Sequence, residues 1–363
     1  VQELFTVGKR PFSMFTEDDV REAARLLVGF GVDSHSLNNP GEVKHISGFG
    51  NHDTGDKQFS SFYGNKKIEG RDTKEGMLEE LREFVEMLFY PDQSKLYIVR
   101  RLYQFFVNPE INDEIEENVI TPLSKVFKNT NYSLTKTLKV LLKSEHFFDE
   151  SNFYSMIKSP YDYVFGIHKE LDSFNFKIRN YKQEENGNFS APDRLTNPET
   201  RKWYIGSIMK WPLNNQGMLI GDPPSVSGWP PFYQAPVYDL FWINSVTLLD
   251  KSSFAERIFK YGLHMGDDYT LLADKSDYLF TYQNNEDIDQ LLNEMSERLL
   301  SRPISEQDKT RIISNSINGA DKSHWTDLVR SFKGGKQNNK GPIEKIFENI
   351  ISQVFALGEY NLF

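Results

Sequence analysis

The chain has 363 residues, 38% hydrophobic and 14% aromatic, with 28 Phe and 17 Tyr, a composition that builds a core and excludes global disorder. A net charge of −10 opposes binding to a phosphate backbone, and the short basic stretches Lys66–Lys67 and Lys333–Lys336 read as solvated loop, so no nucleic-acid partner is expected. The absence of Cys excludes disulfides, thiolate zinc sites, iron–sulfur clusters and a cysteine nucleophile, and no apolar run reaches the roughly 18 residues of a membrane span.

The opening VQELFTVGK reads as the tail of an amphipathic helix, so the chain is expected to continue upstream. TEDDVREAARLLVGFG predicts a helix capped by Thr16, with Val20, Ala23, Ala24, Leu27 and Val28 on its apolar face and glycine after it. After Thr73, Met77, Leu81, Phe84, Val85 and Leu88 share one face; Leu96, Val99, Leu102, Tyr103 and Phe106 repeat the pattern. Pro109 suits the first position of a helix that Pro122 then breaks, with Thr121 capping a short successor through Phe127. Ser133 caps a helix burying Leu134, Leu138, Leu141 and Leu142, and Ser159–Pro160 opens another with Tyr163, Val164, Ile167 and Leu171 inward. Pro198 opens a further helix, and others are expected over 237–261, 286–301, 305–317, 323–332 and 342–356, with Ser305 and Asp308 as a capping box and Pro342 at the first position.

Strand signals are few: YLFTYQ (278–283) is the best, and a short pair fits within 43–64. Three stretches resist helix: a glycine-rich loop over 31–72, a polar excursion over 180–197 and the Pro/Gly/aromatic loop 213–236; KGGKQNNKG (333–341) reads as a flexible surface loop. The expected fold is mainly α: a single multi-helix domain over 1–363, with long ordered non-helical loops and at most a minor short β-hairpin.

GFGNHDTGDKQF (48–59) concentrates polar chemistry. His52 and Asp53 could act as acid and base with Lys57 offsetting anionic charge, and His45, His52, Asp53 and Asp56 are a donor set for a divalent metal. The same residues have a structural reading, in which Asn51, Asp53 and Thr54 shape turns through side-chain-to-backbone hydrogen bonds while Gly50 and Gly55 supply permissive dihedrals. Context excludes the motifs it evokes. The HD pair sits in a loop, the DTG follows a histidine and has no second copy, and the Asp spacing is not that of an EF-hand. GDPPSVSGWPP offers Asp222 with Trp229, Phe232, Tyr233 and Trp242, an acid beside an aromatic platform suited to a small molecule or glycan; its structural reading is a rigid plug with Trp229 packed on helices. His168 reads as a hydrogen-bonded core residue, His146, His264 and His324 as helix-end residues, and Asp18–Asp19 and Glu116–Glu117 as solvated first turns.

ELFTVGK, FTEDDVREAARLLVGF, the HDTGDK loop, RLYQFFV, YSLTKTLKVLLKSEHF, IKSPYDYVFG, GMLIGDPPSVSGWP, FWINSVTLLDKSSFAERI and FALGEYNLF occur here in that order. In this the chain resembles the bacterial domain-of-unknown-function family 1800 over nearly its whole length. The resemblance implies an exported protein, periplasmic or secreted, and a partner from the neighbouring uncharacterised family 1501; it carries no activity and no cofactor. The stretch PPFYQAPVYDLF after Trp229 is longer than the family's usual glycine-rich link. Two functions follow from the residues. One is a ligand or substrate cleft where the His52 loop meets the Trp229 loop; the other is a non-enzymatic scaffold or partner-binding protein in which both loops are structural.

Overall fold

A computed structural model describes residues 1–8, 14–31, 49–172, 177–180, 211–265, 269–272 and 275–363. The expected helix at Pro198, His45 and the 180–197 excursion (but for Asn180) lie outside these residues. The chain groups into two compact units, Val1–Phe147 and Phe148–Phe363. Both are mainly α, in agreement with the fold class read from the sequence.

In the first unit the caps locate the helices. α1 (Glu17–Leu27) starts at Thr16, whose hydroxyl accepts from Asp19 N–H while the Asp19 carboxylate accepts from Thr16 N–H, a reciprocal capping box. Its buried face carries Asp19, Ala23 and Leu26, whereas Val20 and Val28 are exposed. The expected stripe is therefore rotated: Asp19, taken as a solvated first-turn acid, points inward and accepts from Ser60 N–H and Ser60 Oγ, both at 2.7 Å. Burial opposes Asp19's charge, but the hydrogen bonds from Thr16 and Ser60 prevail and hold its pKa below the ordinary carboxylate value.

α2 (Lys74–Leu88), capped by Thr73, buries Met77, Glu80, Phe84, Met87 and Leu88 and leaves Val85 exposed. β1 (Lys57–Gln58) and β2 (Lys67–Ile68) pair antiparallel, Lys57 opposite Ile68, so the short pair falls partly beyond the expected span. Phe59, Tyr63 and Ile68 from this hairpin pack with Leu26, Phe84 and Leu88 in one core.

α3 (Asp92–Phe106) buries Val99 and Tyr103, whose hydroxyl lies 2.9 Å from His146 Nε2. A helix at Pro109 does not form: the next one, α4 (Asp113–Ile115), is capped by Asn112. Nor does Pro122 break the run. A π-turn over Glu116–Ile120 leads into α5 (Thr121–Asn129), with Thr121 N–H bonded to Glu116 O, and the wider turn gives the proline ring room while dispensing with its missing N–H. Glu116 is not a solvated first-turn acid; both its oxygens accept from Arg100, at 2.8 and 2.6 Å. α6 (Leu134–Leu141), capped by Ser133, buries Thr137 and Leu141 but leaves Leu134 exposed.

The second unit is built around α14 (Lys340–Phe355), which buries Ile343, Phe347, Ile350, Ile351, Val354 and Phe355. A wide apolar face, with Glu344, Lys345, Glu348, Asn349 and Gln353 on the other side, makes it the helix on which the others pack. α9 (Ser245–Tyr261), α10 (Lys275–Leu279), α12 (Glu306–Ser316) and α13 (Lys322–Lys333) pack on it. α7 (Pro160–Asp172), α8 (Trp211–Asn215) and α11 (Ile288–Leu299) are the other helices among the described residues of this unit. Tyr163, Val164 and Ile167 are buried as expected. His168 is buried with its ring 6.0 Å from that of Phe254, and burial pushes its pKa down to about 4.

YLFTYQ is not a strand. It spans the end of α10 and the turn after it, and Tyr278, Leu279 and Tyr282 are buried at helical spacing, with the two tyrosine hydroxyls 2.8 Å apart. KGGKQNNKG is shorter as a connection than expected: Gly334 ends α13, a 3-10 turn covers Gln337–Asn339 and α14 begins at Lys340, with Pro342 third. Ser305 caps α12 through Asp308 N–H. A three-stranded antiparallel sheet, in the order β3 (Lys177–Asn180), β5 (Tyr269–Leu272), β4 (Leu263–Met265), adds to the strand content anticipated.

Candidate functional site

The HDTGDK segment runs from a 3-10 turn at Phe49–Asn51 into β1, within the first unit. Two features let it lie flat. Asp53 Oδ1 accepts from Gly55 N–H at 2.9 Å, the Asx turn that the residues suggested. Gly70 approaches closely enough that a Cβ there would meet Thr54 O at 2.0 Å, and its N–H donates to Asp56 Oδ1 at 3.0 Å.

The histidine and lysine turn inward onto a carboxylate that the sequence reading had not singled out, Glu80 of α2. His52 Nε2 lies 3.2 Å from Glu80 Oε1 and its Nδ1 lies 3.0 Å from Val28 O. Lys57 Nζ donates to Glu80 Oε2 at 2.6 Å and also to Asp53 O. Arg71 N–H donates to Glu80 Oε1 at 2.6 Å. The side chains of His52, Lys57 and Glu80 are 1%, 0% and 0% exposed. Both ring nitrogens of His52 face protein oxygens, so neither is presented to a metal ion or to a substrate proton.

The aspartates face outward and are paired. Asp53 takes a bidentate grip on Arg25 of α1, at 2.8 and 3.0 Å; this bond first, then that from Gly55 N–H, lowers its pKa to about 2. Asp56 pairs with Lys67 at 2.7 Å, and that bond followed by the one from Gly70 holds its pKa low. Lys66 and Lys333, read as solvated, also face acids, Glu83 at 2.7 Å and Glu286 at 2.8 Å. Of the proposed metal donors, His45 lies outside the described residues, and among those described no group of three His, Asp or Glu side chains is disposed to hold a metal ion.

The Trp229 loop lies in the second unit and packs on itself. Gly217, Gly221 and Gly228 take positive φ, of +86°, +86° and +92°, so glycine serves its turns rather than a close approach. Phe232 meets the buried Trp242 edge-on with centroids 5.7 Å apart, and Pro231 is buried. Tyr233 Oη lies 3.3 Å from Ser225 Oγ. Trp229 and Tyr233 are half-buried; Asp222 is exposed, and among the described residues no hydrogen bond ties its carboxylate to the aromatic side chains.

Glu80 and Arg25 were missed because both sit within helices chosen for their apolar pattern. A signal for Glu80 was present: the run Met77, Glu80, Phe84, Met87 keeps a 3-4-3 spacing, placing an acid on the apolar stripe, where a carboxylate needs a partner.

No helix among the described residues is long and apolar enough to cross a membrane. Comparison with curated proteins and with solved structures finds no match for this chain. The family described as protein of unknown function, DUF1800, matches residues 1–342, and the chain belongs to it.

Proposed function

We propose that the protein is an exported, non-enzymatic scaffold or partner-binding module in which HDTGDK is a clasp fastening its loop to α1 and α2. The observation that carries this reading is the enclosure of Glu80: one carboxylate, 0% exposed, takes donors from the HDTGDK segment and from the backbone after β2. A carboxylate filled by protein donors on every side has no vacancy for a substrate. The outward aspartates reinforce the clasp, Asp53 to α1 and Asp56 to β2. The Trp229 loop, folded around Trp242, serves as a second rigid element. Export, and a partner from family 1501, rest on the family resemblance.

The test uses the full-length protein. His52→Ala and Lys57→Met lower Tm by several degrees without altering co-elution with a family 1501 protein for as long as the fold persists. Stoichiometric divalent metal by elemental analysis, lost in His52→Ala with Tm unchanged, overturns the clasp. Recovery of the full-length product from the cytoplasm alone overturns export.

A further inference from the structure

Three stretches far apart in the chain converge in the second unit: IKSPYDYVFG, FWINSVTLLDKSSFAERI and FALGEYNLF. Backbone hydrogen bonds join the first to the last, Lys158 N–H to Asn361 O at 2.7 Å and Phe363 N–H to Met156 O at 3.0 Å, with a bridge between Ile157 and Leu362. Asp239, which follows the Trp229 loop, accepts from Ile157 N–H at 2.7 Å.

This junction holds two lysines with no carboxylate of the described residues against them. Lys251 of α9 is 1% exposed; its Nζ donates to Lys158 O at 3.1 Å and lies 5.2 Å from the centroid of the Tyr163 ring. Lys158 is half-buried, its Nζ 4.1 Å from the Tyr360 centroid and 5.9 Å from that of Phe363. Of the acids nearby, Asp162 accepts from the Ser159 hydroxyl at 2.6 Å, whereas Asp250 lies 3.6 Å from Arg257 through Oδ1 and its buried Oδ2 has no hydrogen-bond partner among the described residues. Of the two, Asp162 bears on both ammonium groups, while Asp250 bears on Tyr163 instead.

Each ammonium carries three donors, yet among the described residues a single hydrogen bond to oxygen is made between them. Aromatic faces compensate in part, but Lys251 is buried, and buried donors are normally satisfied in full. Burial lowers both pKa values to about 8, and for Lys251 the neighbouring Lys158 charge adds to the effect. In the first unit, by contrast, the buried Lys57 is closed by Glu80.

We propose that Lys158 and Lys251 form a binding site for a small oxyanion, a carboxylate or phosphate, reached from the side of Lys158. One oxygen takes donors from each lysine, and the rings of Tyr163 and Tyr360 exclude water, which strengthens charge-assisted hydrogen bonds. The site lies within one unit and does not depend on the clasp reading of HDTGDK.

Inorganic phosphate and acetate, each titrated into the full-length protein against chloride at matched ionic strength, supply the test by thermal shift and calorimetry. At least one raises Tm saturably, and the stronger of the two identifies the source of the oxyanion. Lys158→Met and Lys251→Met weaken that binding tenfold or more, while Lys158→Arg retains it. Should Lys251→Met fail to fold, Lys158→Met decides the matter, since that side chain is half-buried. No saturable shift with either anion, or an equal shift in Lys158→Met, overturns the proposal.

Discussion

The two units bury charge in opposite ways. In the first, Glu80 is surrounded by an imidazole, an ammonium and a backbone N–H, and little is left unsatisfied. In the second, Lys158 and Lys251 lie against the rings of Tyr360 and Tyr163, and Lys251 alone donates to a carbonyl oxygen, that of Lys158. Taking a charge out of water costs several kcal/mol unless hydrogen-bonded partners offset it. A closed network thus explains itself as structure. An open one carries a cost that the fold does not recover and points to something the fold is built to receive. The region that looked like a catalytic signature is the closed one, and the open one entered the sequence reading only as motifs of the family.

The strongest way to break this contrast is at Glu80. Glu80→Ala leaves Lys57 buried and unpaired, and is expected to cost about 3–5 kcal/mol in chemical denaturation; a loss below about 1 kcal/mol would show that the network does not fasten the loop. Asp19→Ala removes the carboxylate half of the capping box and the brace to Ser60 while the Thr16 hydroxyl cap stays, with an expected loss of about 1–2 kcal/mol by the same measurement. Replacing the lysines should act with the opposite sign. Without added oxyanion, the Lys158→Met/Lys251→Met double variant gains on the order of 1 kcal/mol over the wild type at neutral pH. The lysine pKa values fall from 10.5 to about 8 on folding, so the unfolded chain holds more protons between those values. Wild-type stability therefore recovers, and the variant's advantage shrinks, as pH rises through that window.

The smallest effect is expected at the rim of the clasp. Asp53 and Arg25 are both about a third exposed, so Asp53→Asn should cost less than about 1 kcal/mol. Because the folded pKa of Asp53 is about 2 against an ordinary 3.8, its contribution is present above the ordinary value and lost as pH falls through about 2. Acid titrations of wild type and Asp53→Asn should converge at the low end.

Much of the fold was legible because its signals are local. Thr16, Ser133 and Ser305 all cap helices, each read from a few adjacent residues. The Asx turn at Asp53 was legible for the same reason. Helix faces were less so. Val20, Val85 and Leu134 fit an apolar stripe yet are exposed, while Asp19, Glu80 and Thr137 take inward positions. Periodicity shows that a stripe exists, but burial depends on what packs against it. Pro122 misled for a related reason: a π-turn accommodates it, and that turn has no sequence marker as clear as the proline itself.

By itself the sequence determined the mainly helical class, most helix starts and the family, since these depend on composition, on capping within one turn and on the order of short motifs. Only the tertiary structure decided which charges meet. His52 and Glu80 stand 28 positions apart, and Lys251 reaches across 93 positions to Lys158 O. An ion partner is selected by long-range packing, which determines both the neighbour and the loss of water, and neither is encoded in local spacing.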